Sequence, residues 1–420
     1  MKRIMINEIC KVYDGPHATP NKTEYGPIYL GIDAITEDGM LDATQFAHLS
    51  EEDYIKWTKR VIPQENDIVF SYEATLGRYT MIPKGFHGCL GRRLAIIRNV
   101  SNKINTRWLY YYFRSPEWTS FIRNQTVKGS TVDRISVEDF PKYTVPLIPI
   151  GKQNRIVDVL DKIDRRIANN KKINDYLEEM AKTTYDYWFV QFDFPDENGK
   201  PYKSSDGEMI YTDDHIIPKG WKICKIQDII SSICTGLNPR DNFSLGSGNI
   251  KYITVKNLTT NGTLDFTGCD TIDESARTIV HNRSDIQIGD ILFASIAPLG
   301  RCYLIQAEPT DWDINESVFS IRANIDVVTP TFLYLYFMSD AFIKQATSSS
   351  TGSIFKGIRI STLLDTELCV PPLSVITQFE DKLASTLSLK SKSCEEIQKL
   401  TNLRDWLLPM LMNGQATIEN

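Results

Sequence analysis

The chain has 420 residues, enough for two or three domains, and its 42% hydrophobic and 24% charged content excludes wholesale disorder. No run approaches the roughly 18–20 consecutive apolar residues of a membrane span, and eight cysteines without a CxxC argue against a disulfide framework and a zinc ribbon. The net charge of −6 provides no global field that would attract nucleic acid, so any such binding must rest on local patches.

In chain order, Met1-Lys-Arg-Ile-Met-Ile-Asn-Glu8 breaks its apolar character at Glu8, so no export signal is expected and a reducing cytoplasm is the expected compartment. Residues 1–150 read as a mixed domain. Its β-branched and aromatic runs at 67–71 and 94–97 predict strands, the aromatic stretch near 107–124 predicts a helix, and the proline-containing strand at 143–149 closes it. Over 151–190 the period changes. Ile156, Leu160, Ile163, Ile167, Leu177, Ala181, Thr184 and Trp188 follow alternating steps of four and three, with Asn170 and Asn174 in the remaining slots and no Gly or Pro. A helix from 152 to 190 would be about 58 Å long.

Residues 191–215 form a turn-rich connector with seven acidic and two basic residues, which holds nearly all of the negative excess. Residues 1–145 then carry +2 and 216–371 carry −3, so the first domain is the more basic. Residues 216–372 predict a second mixed domain, with an aromatic helix near 330–346 and a closing Leu368-Cys-Val-Pro-Pro372 strand. Residues 373–414 predict a second long helix, whose stripe of Phe379, Leu383, Ile397, Leu400 and Leu407 passes through the more polar Thr386, Lys390 and Ser393; 415–420 are a tail.

The two mixed domains are copies. Ile28-Tyr-Leu-Gly-Ile-Asp-Ala-Ile35 matches Lys251-Tyr-Ile-Thr-Val-Lys-Asn-Leu258, with Tyr29 and Tyr252 offset by 223 residues. The same offset relates Asp38-Gly39-Met40-Leu41 to Asn261-Gly262-Thr263-Leu264, Asp67-Ile-Val-Phe70 to Asp290-Ile-Leu-Phe293, and Leu76-Gly77-Arg78 to Leu299-Gly300-Arg301. Further matches drift to 224 and 225: Trp108–Phe113 with Phe332–Phe337, Arg134-Ile135-Ser136 with Arg359-Ile360-Ser361, and Val145-Pro146 and Gln153 with Val370-Pro371 and Gln378. An ordered series of this kind means tandem duplication. Neither long amphipathic helix can bury its stripe alone, and two in one chain most readily bury each other. The expected fold is therefore α/β (α+β): two similar mixed domains separated by an antiparallel pair of long coiled-coil helices. Asn170 and Asn174 either sit on the seam and fix its register or face solvent at a local irregularity.

No reaction chemistry is visible. The sequence has no P-loop, no GxSxG and no HExxH or HxxxH pair, and its five histidines read as structural or surface residues. Pro195-Asp196-Glu197 with Lys200 superficially resembles a nuclease cluster, but lies in the connector, where nothing would hold carboxylates rigidly on a metal. Pro371-Pro372, preceded by Val370 and followed by Leu373, is not the Asn/Asp-Pro-Pro-aromatic tetrad of an amino-methyltransferase. No catalytic and no metal residue is assigned.

This arrangement resembles the specificity subunit of type I restriction–modification systems. The residues that carry the resemblance are the Asp67-Ile-Val-Phe…Leu76-Gly-Arg78 and Asp290-Ile-Leu-Phe…Leu299-Gly-Arg301 blocks and the Val-Pro…Gln segments before each long helix. Tyr187-Trp-Phe-Val-Gln-Phe-Asp193 and Ile217-Pro-Lys-Gly-Trp221 add to it. The first copy lacks a lysine-glycine-tryptophan start like the second's. The resemblance implies two target-recognition domains that each read one half of a split DNA site. It also implies helices that act as spacer and as dock for two methylation subunits carrying S-adenosylmethionine, with motor-nuclease subunits, ATP and Mg joining that core. No cofactor is expected on this chain. Readers about one helical turn apart, about 34–36 Å, would face one side of a duplex.

Candidate DNA contacts are Lys56, Lys59, Arg60, Tyr72, Arg78, Lys128, Ser130 and Arg134 in the first domain. In the second they are Arg240, Lys256, Asn257, Arg283, Arg301, Lys356 and Arg359. Arg78 and Arg301 recur at equivalent positions, which fits a role in holding the domain together equally well. The competing classes are a non-DNA scaffold holding two copies of another protein and a self-sufficient enzyme.

Overall fold

The computed structural model describes every residue except 1, 37, 128–132, 213–214, 267, 297–299, 349–356 and 417–420. The chain divides into two compact units, one of Met1–Ala168 with Gln398–Asn420 and one of Asn169–Ile397. Neither unit ends where a long helix begins, so the spacer expected as separate segments at 151–190 and 373–414 is shared out: each unit contains part of both long helices.

In the first unit, a four-stranded antiparallel sheet runs in the order Cys10–Asp14, Leu94–Asn99, Ile68–Ser71, Tyr79–Met81. A three-stranded sheet places Thr23–Leu30 between antiparallel Ala47–His48 and parallel Gly88–Leu90. Arg3–Met5 pairs with Thr144–Pro146, the proline strand that closes the domain. The second unit repeats this strand for strand. Its four-stranded sheet is Ile230–Thr235, Val318–Ala323, Ile291–Ala294, Cys302–Leu304; its three-stranded sheet is Asp270–Ile272, Ile250–Ile253, Trp312–Ile314; and Lys222–Lys225 pairs with Glu367–Val370.

The central strands read as unbroken apolar runs because both faces are covered. Ile68, Phe70, Ala95 and Ile97 face a core that includes the aromatic helix, whereas Val69, Leu94 and Ile96 face a second core with Leu30 and Leu90. Ile291, Phe293, Phe319 and Ile321 divide from Leu292, Ala294 and Val318 in the same way. A bidentate ion pair staples each sheet: Arg98 on Asp67 at 2.6 Å, and Arg322 on Asp290 at 2.7 Å.

Each aromatic stretch, expected as one helix, forms two. Thr106–Phe113 is followed by Pro116–Gln125, and Pro330–Met338 by Asp340–Ser348. Ser115 and Ser339 sit extended at the breaks, and their hydroxyls accept from Trp118 N (3.3 Å) and Phe342 N (3.2 Å). Pro116 explains the first break, since the residue before proline avoids helical angles; a serine cap alone makes the second. The connector also has more structure than its composition suggests. Met209–Thr212 and His215–Pro218 pair antiparallel, and Phe194 stacks on Tyr202 at 4.6 Å and packs on Trp221 at 5.1 Å. Aromatic burial offsets the turn-rich backbone there.

The long helices are Ile150–Tyr185, continued by a wide turn at Asp186–Val190, and Leu373–Met412, which carries Pro409. In the first unit Ile156, Leu160, Ile163 and Ile167 are buried, as are Arg404, Leu408 and Leu411 on the second helix. In the second unit Asn170, Asn174, Glu178 and Ala181 are buried, as are Phe379, Leu383, Thr386 and Lys390. The segments are antiparallel within each unit: Asp164 meets Arg404 at 3.3 Å in the first, and Asn170 meets Glu396 at 3.0 Å in the second. Asn170 and Asn174 thus lie on the seam, with Asn174 Nδ2 donating to Cys394 Sγ at 3.2 Å.

Four expected seam residues are only half-buried: Leu177, Ile397, Leu400 and Leu407. A straight α-helix drifts about 20° per heptad against a strict seven-residue repeat, so Glu178, Arg404 and Leu408 take the central positions. Gln378 is exposed, whereas Gln153 is fully buried and donates to Lys103 O (3.1 Å) and Ile148 O (2.8 Å). The offset at the second helix start is therefore 223, with Ile376 in the place of Gln153.

A polar lock ties each globular part to its stem segments. The Tyr111 hydroxyl lies 2.8 Å from Asp161 Oδ1 and 2.7 Å from Asp164 Oδ2; Asp161 also pairs with Arg107, and Asp164 with Arg404. In the second unit Tyr334 donates to Glu178 at 3.0 Å, and Glu178 pairs closely with Lys390, whose ammonium also donates to Asn261 O at 3.1 Å. Burial, then the Glu178 charge, holds the Tyr334 hydroxyl protonated. The repeated Asp38-Gly39 and Asn261-Gly262 turns dock here. Both glycines have left-handed φ (80° and 69°), and a Cβ at either would strike a tyrosine hydroxyl, of Tyr110 or Tyr334.

Lys390→Met should destabilise the second unit by about 3–5 kcal/mol, because Glu178 would remain buried and uncompensated. Adding Glu178→Leu should restore most of that loss in chemical denaturation. Equal instability of the double variant would show that the pair is not the lock.

Candidate nucleic-acid interface

One rim of each four-stranded sheet gathers strand ends from distant parts of the sequence. In the first unit Gly15 N donates to Leu94 O (3.0 Å), Tyr72 N to Arg93 O (3.1 Å), Ser71 N to Arg78 O (3.0 Å) and Ile135 N to Tyr72 O (2.8 Å). In the second the matching bonds are Ser295 N to Ser317 O (3.1 Å), Ala294 N to Arg301 O (3.0 Å) and Ile358 N to Ser295 O (2.8 Å), whereas Gly236 N, at the place of Gly15, donates to Asn315 O (3.2 Å), the counterpart of Gly91 and not of Leu94. Three of the four bonds are the same, but the side chains on this frame differ.

In the first unit the rim is a charged network. Asp14 lies 3.0 Å from His17 and 3.8 Å from Arg60, and Arg60 also donates to Gly15 O at 3.2 Å. Tyr72 is buried beside Asp14; burial, then the Asp14 charge, raises the pKa of its hydroxyl. Glu73 pairs with Arg93 at 3.0 Å, and its backbone bridges to Arg134, which also bridges Val127. The second unit has Thr235, Ser295, Ile296 and Ser317 where the first has Asp14, Tyr72, Glu73 and Arg93.

The sequence candidates divide accordingly. Arg60 and Tyr72 meet at Asp14, and Arg134 is exposed on the same rim. Lys56 and Lys59 are exposed, with Lys56 3.2 Å from Asp53. Arg78 donates from Nη1 to Ile35 O at 2.8 Å and so braces the Ile35–Leu41 turn; Arg301, at the matching place, is half-buried. Arg240, Arg283 and Arg359 are exposed, Arg283 in the last turn of Glu274–Ser284 and Arg359 at the start of Ile360–Leu364. Lys256 is exposed but donates to Gly268 O at 3.3 Å, and it belongs to the turn after the three-stranded sheet.

Asn257 is a correction. It is buried, its Oδ1 accepts from Thr254 N at 2.9 Å, and its Nδ2 donates to Asp265 O at 2.9 Å, so it braces a turn and does not face a ligand. Lys128, Ser130 and Lys356 lie outside the described residues. The pairing of Arg134 with Arg359 also fails: Ile358, not Ile360, repeats the bond of Ile135, so Gly357 stands where Arg134 does.

Asp14, Glu73, Arg92, Arg93 and Glu316 also lie on the rims and are not among the sequence candidates. Their signal was available only after register had been set strand by strand, at an offset of 224 across the Leu94–Asn99 and Val318–Ala323 pair.

Asp196 Oδ1 accepts from Asn198 N and Lys200 N, both at 2.8 Å, so the Pro195–Lys200 segment is a side-chain-capped turn. Among the described residues no group of three or more His, Cys, Asp or Glu is placed to hold a metal, and no helix is long and apolar enough to cross a membrane.

Fold and rim together define a duplicated adaptor: one frame used twice, with different polar side chains on the same edge. The chain matches the Type I restriction modification DNA specificity domain over residues 2–179 and again over 218–399, each match spanning a globular part and most of the long helix after it. It is 22% identical over 330 residues to the type I restriction enzyme MjaIX specificity subunit of Methanocaldococcus jannaschii, covering 77% of this chain and 72% of that one. It is 21% identical over 413 residues to the HindI specificity subunit of Haemophilus influenzae, covering 84% and 87%. A solved type I restriction–modification S subunit from M. genitalium aligns over 98% of this chain and 95% of its own at 13% identity, with a TM-score of 0.48.

The chain belongs to the type I restriction–modification DNA specificity family. Its role is that of the DNA-recognition subunit, which works within a DNA-binding complex and is in general non-catalytic.

Asn257→Ala should cost about 1–3 kcal/mol of stability by leaving Thr254 N and Asp265 O without partners, and should leave sequence preference unchanged. Lys59→Ala should do the reverse: an unchanged melting temperature, weaker binding to all duplexes, and a salt-dependence slope lower by about 1. A shifted base preference in the Asn257 variant would place that amide against DNA after all.

Proposed function

We propose that each globular domain reads one half of a bipartite DNA site, while the paired helices set the gap and dock two methylation subunits. Those subunits carry S-adenosylmethionine, and two motor-nuclease subunits using ATP and Mg complete the restriction assembly. The assembled complex is an adenine-specific DNA methyltransferase and, with the motors, an endonuclease, working in the cytoplasm. This chain contributes recognition and spacing and binds no cofactor.

The observation that carries this reading is the pair of rims, with matching backbone hydrogen bonds and different side chains. Two copies under one structural demand would retain their frame; two copies that read different bases would diverge at the edge presented to DNA. A weakly charged chain also suits a shared interface in which the methylation subunits supply much of the phosphate attraction. A scaffold that bound two copies of one protein would gain nothing from two different rims.

Exchanging residues 1–145 for the equivalent region of a relative should change one half of the methylated motif and leave the other intact, read by mapping methylated adenines genome-wide. Change in both halves would refute modular reading. Deleting one heptad from both long helices should alter the number of bases between the halves and not their letters. An unchanged gap would remove the spacing role.

A further inference from the structure

One rim position combines a repeated frame, exposure and opposite charge. It is Arg92 in the first unit and Glu316 in the second. The residue before each donates its backbone N–H to the three-stranded sheet, Gly91 to Leu30 O at 2.7 Å and Asn315 to Ile253 O at 2.8 Å. The residue after each accepts on its carbonyl, Arg93 from Tyr72 N and Ser317 from Ser295 N, both at 3.1 Å. The backbone at this point is therefore fixed by the same two bonds in both copies.

Arg92 and Glu316 are both exposed, and among the described residues neither side chain makes a hydrogen bond or ion pair. Folding does not account for the reversal. Where charge serves the frame it is retained with its partner, as in Arg98–Asp67 and Arg322–Asp290. At this position no partner reverses with it.

Resting on the reading that both domains recognise DNA, we infer that Arg92 reads a guanine in one half-site and Glu316 a cytosine in the other. A guanidinium matches the O6 and N7 acceptors of guanine with two parallel bonds. A carboxylate has only acceptors and needs a base edge that donates: cytosine offers N4 with no other acceptor on its own major-groove edge, whereas adenine places N7 beside its amino group and would repel the second oxygen. One mould thus presents a donor fork in one domain and an acceptor fork in the other, and the first unit also exposes the cations Arg60 and Arg134.

The test uses the full chain purified with its methylation subunits and selected on a randomised duplex library. Arg92→Ala should erase the guanine preference at one position of one half-site, lowering discrimination there by roughly 5- to 150-fold with the other half unchanged. Glu316→Gln should do the same at one cytosine of the opposite half. If Arg92→Ala weakens all sequences alike and lowers the salt slope, Arg92 is a phosphate contact and the inference is overturned. An unchanged motif in both variants also overturns it, with the recognition role intact. If the unaltered complex selects no bipartite motif at all, it is the broader reading that fails.

Discussion

The structure depends on a small buried constraint: in each unit a tyrosine of the aromatic helix meets a stem carboxylate that also holds a cation from the opposite long helix. Tyr111, Asp164 and Arg404 do this in the first unit, and Tyr334, Glu178 and Lys390 in the second. Apolar packing alone would let a globular part slide along a helix stripe at little cost, because hydrophobic contact is not directional. A buried charge permits no such sliding, since each partner removed leaves another uncompensated. The lock therefore fixes where the sheet sits on its stem, and with it where the rim points.

On that fixed frame, the two copies differ where difference is harmless to folding. The central strands, the Arg98–Asp67 and Arg322–Asp290 staples, and the glycine turns under Tyr110 and Tyr334 are retained, because each has a packing or steric partner that would suffer from change. Rim positions such as Asp14 and Thr235, or Tyr72 and Ser295, share backbone bonds but not side chains. A net charge of −6 provides no global field to attract DNA, so recognition must rest on local chemistry.

Much of the fold was legible in the sequence, because duplication puts every motif on display twice. Two mixed domains and two long helices followed from the 223–225 residue offsets and the change of period. What was not legible depended on three-dimensional register. The break at Ser339 has no proline to announce it, and the hairpin in the acidic connector rests on burial of Phe194, which composition does not report. A strict heptad puts Leu400 and Leu407 on the seam, but a straight helix does not keep that repeat, so Arg404 and Leu408 lie there. The site was less legible still. Asn257 is polar and sits in a turn, yet faces inward, and Arg92 became visible only once the rim strands had been aligned bond by bond.

Recognition on this proposal uses one frame twice, each copy reading its own half of a single duplex. Site-specific photo-crosslinking tests it most directly, with a photoreactive residue at Arg60 or at Arg359 of the full chain, assembled with its methylation subunits on the methylated duplex. Crosslinks from position 60 should be confined to one half-site and those from position 359 to the other. Crosslinks from both positions to the same half would contradict it.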